Sequence, residues 1–448
     1  MKSPHQNFKS IVSAGIAVFI LSCLSACTEN DPNQTSEVAA SFSIAVIPDT
    51  QNYLDYKHQS AEGFAIDSSQ LFIQQMQYIA DHSIKQGGHI AFVASVGDVW
   101  QHQTLAMDTD HQQRDFKAVE NPYFAVEIEV TDKTTELEIP LAIEGYRILN
   151  DTGIPFGVAP GNHDYDAMWS AAEYPPNLSK SPRELTMTPE DLGMLHIGGL
   201  DNFRSAFGSN SAFFKDKPWY IGSFNGGANS AQLFSAGGYR FLHFALEMQA
   251  ADDVLEWVRN IIKDNPGLPT IITTHDYLNV SGQRQANPIV DLDRIDPSHH
   301  NSAEELWTKL ISQQDQIFLL LCGHQHGQAT RIDDNNYGNK VYQVLADYQD
   351  RGQVGLDAGQ AVSQYTGKPV GLGDGWFRLM QFELALEVPR IVVTTYSSHY
   401  QSLSSELEPY AAWYKEHEQP TMTDEQFHAS EEFELVLSDF QQRFGMPK

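Results

Sequence analysis

A pair of histidines follows one of the most apolar runs of this sequence. The run over residues 319–322 leads directly into Gly-His-Gln-His-Gly, which places His324 and His326 two residues apart. Two imidazoles in a turn can point into one space, and neutral imidazole is the commonest protein ligand of transition metals. A histidine at a strand end is more often a structural residue, so the pair gains meaning only from other segments of the same form.

Four further apolar runs end in side chains that bind metals. They end at Asp49 with Gln51, at Asp98, at Asn162 with His163 and Asp164, and at His275. Carboxylates, amides and imidazoles together suit Mn, Fe or Zn. The set exceeds what one tetrahedral zinc needs, and a carboxylate such as Asp98 can bridge two ions about 3.5–4 Å apart, as in phosphoryl transfer.

The elements that must position these residues alternate between strand and helix, which predicts an α/β fold. Strands are predicted at 42–47, 89–96, 154–158, 239–246, 270–274 and 317–321, and helices at 67–85, up to 150, 252–263 and 303–311. Such alternation favours parallel strands with right-handed crossovers. Ligands of such sheets bind beyond the carboxyl ends of the strands, where all five segments lie.

The later part of the chain and two insertions depart from this alternation. Strands at 340–345, 375–382, 390–396 and 433–437 are predicted to form a second, more antiparallel sheet. The insertions cover residues 103–140, with a β-like run at 124–130, and residues 166–238. Loops of this length are usually functional rims or lids, and decorative surface is the alternative.

The composition is that of a folded and strongly acidic protein. Of 448 residues, 41% are hydrophobic and 11% aromatic, which excludes a disordered chain. The net charge of −30 disfavours binding to nucleic acid, and therefore a nuclease. It would also repel a phosphate ester at long range, so an anion site must supply its own positive charge, as bound metal ions do.

The first 26 residues have the pattern of a targeting segment. Lys2 and Lys9 precede an apolar stretch at 11–21 that is too short for a comfortable membrane span. Leu-Ser-Ala-Cys then resembles a bacterial lipobox, which predicts acylation of Cys27, a flexible tether over 27–40 and one domain over 41–448. We therefore expect an exported, membrane-anchored protein facing the periplasm or the cell exterior. Ordinary signal cleavage and an uncleaved anchor are the alternatives.

The order of the ligand motifs resembles that of a known family. Gly-Asp at 97–98, Gly-Asn-His-Asp at 161–164, His275 and Gly-His-Gln-His at 323–326 together resemble the calcineurin-like metallophosphoesterase superfamily over residues 42–400. The resemblance implies two packed mixed β-sheets flanked by helices and a centre of two divalent or trivalent metal ions. It also implies hydrolysis of a phosphomonoester or phosphodiester by a metal-bound hydroxide.

The resemblance further implies a role for each motif residue. The first ion would be held by Asp49, Asp98 and His326, and the second by Asp98, Asn162, His275 and His324. His163 would face the phosphate, where it could stabilise the transferring group or protonate the leaving oxygen. Asp164 would orient the imidazole of His163. His102, four residues after Asp98, is either a substrate contact or a residue of the rim.

The residue at position 51 departs from the family pattern. Where the family usually has Asp-x-His, this chain has Asp-Thr-Gln, so the amide oxygen of Gln51 replaces an imidazole nitrogen. A weaker first site, a different preferred ion or a water in that position would follow. Segments 49–53, 234–238 and 346–349 resemble an exported bacterial subgroup, which favours Gln51 as a tolerated ligand. The alternative is a non-catalytic metal- or ligand-binding envelope lipoprotein that retains the fold.

Overall fold

The computed structural model describes residues 41–181, 184–364 and 366–447. The predicted signal segment, the lipidation site at Cys27 and the tether up to residue 40 lie outside these residues. Among the described residues, no helix combines the length and the apolar character that a membrane span requires. The strands in chain order are β1 (Phe42–Ile47), β2 (Ile90–Ser95), β3 (Phe156–Val158), β4 (Ala167–Ser170), β5 (Leu195–Gly198), β6 (Tyr220–Phe224), β7 (Asn229–Ala236), β8 (Tyr239–Ala245), β9 (Thr270–Thr273), β10 (Ile317–Cys322), β11 (Gly327–Asp334), β12 (Lys340–Asp347), β13 (Trp376–Glu383), β14 (Arg390–Ser397), β15 (Ser402–Leu403) and β16 (Phe433–Val436).

Helices with a buried apolar face separate many of these strands. The helices are α1 (Gln51–Leu54), α2 (Ser69–Asp81), α3 (Thr109–Gln113), α4 (Ile139–Thr152), α5 (Pro189–Leu192), α6 (Asp201–Phe207), α7 (Asp252–Asp264), α8 (Leu292–Ile295), α9 (Ala303–Lys309), α10 (Gln353–Asp357), α11 (Tyr410–Glu418), α12 (Asp424–Glu431) and α13 (Phe440–Phe444). A capping box begins α9, since the side chains of Ser302 and Glu305 each accept the other residue's backbone N–H.

Two large mixed sheets are formed. The first has the order β15-β14-β13-β1-β2-β3, with β16 beside β14, and the second has the order β11-β12-β10-β9-β8-β7-β6. The three neighbours β1, β2 and β3 are parallel to one another. The neighbours β8, β9, β10 and β12 are also parallel. Each sheet therefore brings the carboxyl ends of several strands to a single edge.

The two sheets pack face to face, with helices on the outside. Their inner faces meet through aromatic rings, such as Phe92 on Phe234 with ring centroids 4.4 Å apart and Phe42 on Phe241 at 5.5 Å. The outer face of the first sheet packs against α2 and α4, and that of the second against α7 and α9. Burial of each large apolar side chain contributes about 1.5–3 kcal/mol. The predicted fold class, α/β with two packed mixed sheets flanked by helices, is confirmed.

The predicted antiparallel pairing of the later strands is confirmed for β13, β14 and β16, but the prediction that all four later strands form one sheet of their own is wrong. Strand β12 joins the second sheet in parallel with β10, whereas β13 pairs antiparallel with β1 in the first sheet. Strand β12 is buried along almost its whole length, as a central parallel strand requires. Strand β14 alternates between buried and half-buried residues, as suits an antiparallel strand with one face less covered. The local sequence pattern does not specify which distant strand each of these strands pairs with, so it does not show that β12 belongs to a different sheet from β13 and β14.

The insertions are more ordered than their composition indicates. The first contains α3, but its β-like run at 124–130 forms a bend and turns up to residue 128 and one isolated bridge from Val130 to Gln103. Val126 is 52% and Val130 45% exposed, so the prediction of a strand is wrong. The second contains the β4–β5 hairpin and α6, and it also supplies β6 and β7 to the second sheet. Apolar and aromatic residues alone therefore did not distinguish a turn from a strand in the first insertion.

Candidate metal centre

Loops that follow parallel strands of both sheets meet at one place. Asp49, Asp98 and Asn162 follow β1, β2 and β3, and His275 and His324 follow β9 and β10. The Nε2 atom of His275 lies 3.1 Å from Asn162 Oδ1 and 3.2 Å from Asp98 Oδ2. From the other side, the backbone N–H of His324 donates to Asp49 Oδ2 at 3.1 Å. Five of the residues singled out in the sequence therefore lie together across the two sheets.

Two glycines of the motifs allow this close approach. A Cβ on Gly161 would lie 2.2 Å from Asp98 Oδ1, and a Cβ on Gly323 would lie 2.2 Å from Asp49 Oδ1. Neither position has room for a side chain, because a carboxylate rests against the backbone there. The glycines that precede the ligands in Gly-Asn-His and Gly-His-x-His thus place the carboxylates beside the imidazoles.

Two of the converging residues have a left-handed backbone. Asp98 has φ 50° and His324 has φ 69°. This region costs an L-residue with a Cβ roughly 1–2 kcal/mol, and such residues are concentrated at active sites and ligand clamps. The surrounding loops therefore maintain an unfavourable backbone conformation at two of the five positions whose side chains enter the cluster.

Asp98, His275 and His324 form the buried centre of the site. Each offers a ligand atom that lies within 4.8 Å of the other two. The ring of His275 is oriented by Nδ1, which donates to the Val96 carbonyl at 2.9 Å, so its Nε2 faces the oxygens. One aimed imidazole, a second imidazole and a carboxylate in this arrangement could hold a metal ion.

The charges of the centre favour a cation. Burial opposes the charged form of His275, but the carboxylates of Asp98 and Asp49 outweigh it and raise the pKa to about 10. Burial also acts to raise the pKa of Asp98, yet the imidazoles of His275 and His163 hold it below its usual value. Burial and the carboxylate of Asp347 raise the pKa of Asp49 well above its usual value. Buried carboxylates this close repel one another unless positive charge lies between them.

Three polar atoms around the centre test whether a metal fits. Gln51 Oε1, His324 Nε2 and Asp347 Oδ2 are buried and have no hydrogen-bond partner among the described residues. An unpartnered buried polar atom costs about 1–3 kcal/mol, and each of these atoms could act as a ligand of a bound cation. Mixed oxygen and nitrogen donors of this kind fit divalent metal ions.

His326 lies outside the buried centre. Its Nδ1 is 2.7 Å from Asp350 Oδ2, and its side chain is 47% exposed. Its Nε2 contacts the amide of Gln349, whose Oε1 accepts a hydrogen bond from Gln51 Nε2. Gln51 Nε2 also lies 3.3 Å from Asp98 Oδ2. Gln349 therefore lies between His326 and the carboxylates with which His326 was predicted to share an ion.

The half-buried His163 is held from two sides. Its backbone N–H donates to Asp98 Oδ1 at 2.8 Å, and its Nδ1 lies 2.7 Å from the carbonyl oxygen of Gln101. The carbonyl can only accept, so Nδ1 carries the hydrogen and Nε2 remains the basic nitrogen of the neutral ring.

The role expected for Asp164 is taken by Gln101. Asp164 accepts the backbone N–H of Val99 at 2.9 Å and that of Gly161 at 2.8 Å, so it connects two ligand-bearing loops instead of the His163 ring. Burial and the neighbouring carboxylate of Asp98 raise the pKa of Asp164 to about 8. The structure therefore places Asp164 beneath the site.

Further residues of the site were missed in the sequence or left undecided. Asp347 and Gln349 were assigned no chemistry, although Asp347 ends β12 beside β10 and so has the strand-end position of the other ligands. Asp350, which contacts His326, was also missed, and nothing in its sequence surroundings marks it. His102 has a fully buried ring with Nδ1 2.7 Å from Glu138 Oε1, so it does not line the rim.

Comparisons with known proteins extend this description. No family model matches the chain. Over 260 residues it is 26% identical to the uncharacterized protein YvnB of Bacillus subtilis (strain 168). The aligned part is 56% of this chain and 15% of that protein, so the chain spans a minor part of its relative's length. Among solved structures it is similar to a dimetal phosphatase from Danio rerio, with a TM-score of 0.35 and 11% identity, over 80% of this chain and 96% of that one.

Proposed function

We propose that this chain is a metal-dependent phosphoesterase of the calcineurin-like metallophosphoesterase superfamily, hydrolysing a phosphomonoester or a phosphodiester. The observation that carries the proposal is the buried cluster of Asp98, His275 and His324, with unpartnered donor atoms at its edge. The order of the sequence motifs supports the same reading. Because the protein is strongly acidic, a phosphate ester needs local positive charge to bind here.

Two ions, of Mn, Fe or Zn, are proposed at this centre. Asp49, Gln51, Asp98 and His326 would hold the first, and Asp98, Asn162, His275 and His324 the second. Asp98 suits the shared position, since its Oδ2 lies 3.2 Å from His275 Nε2 and 3.3 Å from Gln51 Nε2. Gln349, between Gln51 and His326, offers one more amide oxygen at the first position. When bound, such ions supply positive charge to phosphate oxygens and acidify a water molecule.

The chain's own contribution to the chemistry centres on His163. The Gln101 carbonyl fixes the ring through Nδ1, and Asp98 fixes the backbone, so Nε2 has a defined direction. A positioned imidazole of this kind can hold a proton against a phosphate oxygen or a leaving oxygen. Asp164 maintains the loop geometry beneath it.

A non-catalytic metal- or ligand-binding protein is the second candidate. The hydrogen bond between Gln51 and Gln349 favours it, because an amide pair lies where the superfamily usually has an imidazole. A binding protein has no need of the oriented His163, however, and this residue therefore distinguishes the two candidates.

The experiment uses nitrophenyl phosphate and bis-nitrophenyl phosphate with added Mn, Fe, Zn or Ca. We expect hydrolysis of at least one substrate and at least two bound ions per chain. His163→Ala should lower the rate about 10²–10⁴-fold without loss of metal, because it removes a proton-transfer group. His82→Ala, also at a half-buried histidine, is the matched control.

Two outcomes would contradict the proposal. If the chain binds two ions but no metal supports hydrolysis of either substrate, the binding function is favoured. If fewer than one ion is bound after reconstitution, the dinuclear centre is wrong.

We also propose export and anchoring through acylated Cys27. The support is the lipobox-like sequence, which lies outside the described residues. Radiolabelled palmitate should enter the wild-type protein but not Cys27→Ser, and the variant should be released from membranes. Labelling of the variant would contradict the assignment.

A further inference from the structure

A second group of metal-type side chains lies where the two insertions meet the loop after α8. His111 on α3, His196 on β5 and Asp296, which follows α8, are all buried, and each offers a ligand atom within 4.8 Å of the others. The three residues are contributed by segments that are far apart in the sequence. None of them belongs to the motifs of the strand-end centre.

The histidines of this group lack partners. Both ring nitrogens of His196, which is fully buried, and Nε2 of His111 have no hydrogen-bond partner among the described residues. A neutral imidazole has one donor and one acceptor, and leaving them buried and unpaired costs free energy. By contrast, the equally buried His243 bonds Gln232 and Thr273 through its two nitrogens. The cluster is therefore incomplete as it stands.

One of the histidines is aimed at the cluster by a carboxylate. His111 Nδ1 lies 2.7 Å from Asp108 Oδ2, and Asp108 also accepts the backbone N–H groups that begin α3. A carboxylate on the outer nitrogen is the usual support of a metal-bound histidine. Gly198 on β5 makes room for this pair, since a Cβ there would lie 1.8 Å from Asp108 Oδ2 and 2.6 Å from His111 Nδ1.

The surroundings close the cluster on one side and open it on another. The rings of Trp169 and Phe116 lie 5.0 and 5.4 Å from the ring of His196 and exclude water there. The ring of His300 lies 6.1 Å from that of His196 and also lines a cleft of about 410 Å³, together with the acidic Glu247 and Asp253. A cation can thus approach as far as His300 along an acidic surface.

We propose that His111, His196 and Asp296 bind a Zn²⁺ ion, separate from the ions of the strand-end centre. Two imidazoles and one carboxylate are a donor set that zinc accepts, with one tetrahedral position open to a further ligand. Arg114 bonds Oδ2 of Asp296, and Ser298 Oγ donates to Oδ1 at 3.1 Å, where His299 Nδ1 also lies 3.1 Å away. These contacts hold the carboxylate in place, and each oxygen keeps a further lone pair that could face an ion. The ion would join both insertions to the loop after α8.

Anomalous diffraction from the unaltered protein, soaked with Zn²⁺ after chelator treatment, tests this directly. We expect a zinc peak bounded by His111, His196 and Asp296, separate from peaks beside Asp98. Peaks beside Asp98 with none here would overturn this inference and leave the proposed function intact. A peak here with none beside Asp98 would do the reverse.

Variants provide a second test in solution. His196→Gln should lose about one zinc per chain, and zinc should no longer raise the melting temperature through this site. His243→Gln also removes a fully buried imidazole but should keep all of its zinc, which controls for loss of packing. Equal zinc in wild type and His196→Gln would show that the histidines only pack among the aromatic rings. If His196→Gln does not fold, the diffraction experiment still decides.

Discussion

The strand-end centre and the cluster in the insertions use the same kinds of side chain in different frameworks. Asp98, His275 and His324 are placed by the ends of parallel strands in two sheets. His111 and His196 are placed by a five-residue helix and a hairpin strand. Parallel strands share a carboxyl edge, so their ligands converge whatever the length of the chain between them. Convergence in the insertions depends on how particular loops pack.

This difference implies that the two sites have different functions. The strand-end centre has backbone strain at Asp98 and His324 and a half-buried histidine beside it, as a reactive site requires. The insertion cluster has no such strain at His111 or His196 and is covered on one side by aromatic rings. We therefore expect chemistry at the first and structural support at the second.

Removing the shared carboxylate should have the largest effect. Asp98→Asn keeps the shape and tolerates φ 50°, because Asn adopts this backbone as readily as Asp. Loss of the charge that is proposed to hold both ions should lower the rate of nitrophenyl phosphate hydrolysis by at least about 10³-fold, at the upper end of what loss of one stabilising group costs. Asp216→Asn, at an exposed residue with φ 60°, is the control for the backbone. Full activity in Asp98→Asn would show that the chemistry lies elsewhere.

The sequence predicts the residues of the strand-end centre better than those of the insertion cluster. The apolar runs that became β1, β2 and β3 end in residues of the centre, because a buried parallel strand reads as a continuous apolar stretch. His196 was invisible, since one histidine in a four-residue strand carries no pattern. Asp347 was missed, although it ends a strand, because the pairing of β12 with β10 depends on long-range packing. The contact expected between Asp164 and the ring of His163 is absent among the described residues, because the direction of a side chain cannot be read from the sequence.

Supporting carboxylates offer an intermediate test of the comparison. Asp350 Oδ2 lies 2.7 Å from His326 Nδ1, and Asp108 Oδ2 lies 2.7 Å from His111 Nδ1. Asp350→Asn should lower hydrolysis about 10–100-fold, because such partners orient a ligand and raise its basicity. Asp108→Asn keeps the cap of α3 and should weaken only the zinc of the insertions by the same factor. Zinc titration of both variants measures this. A loss of hydrolysis in both would mean that the two sites act as one.

Two glycines should affect stability alike and activity differently. A Cβ on Gly161 or on Gly198 would overlap a carboxylate oxygen, so either alanine variant should destabilise the fold by about 1–3 kcal/mol. Only Gly161→Ala disturbs Asp98 and should abolish hydrolysis. Urea unfolding and the hydrolysis assay test the pair. Gly222→Ala is the control, since a Cβ there meets nothing closer than 3.2 Å, and it should change neither stability nor activity. An inactive Gly198→Ala would contradict the separation of the insertion cluster from the strand-end centre.

The smallest effect concerns a buried histidine that needs no metal. Both nitrogens of His243 are bonded, and burial lowers its pKa from 6.5 to about 3. Between these values the unfolded chain binds a proton that the folded chain does not, so this contribution to stability is complete above pH 6.5 and declines by about 1.4 kcal/mol per pH unit down to about pH 3. The stability deficit of His243→Gln should therefore shrink as pH falls from 7 to 5 in urea unfolding. A constant deficit would mean that His243 is not kept neutral by its surroundings, and its contrast with the unpartnered His196 would lose its basis.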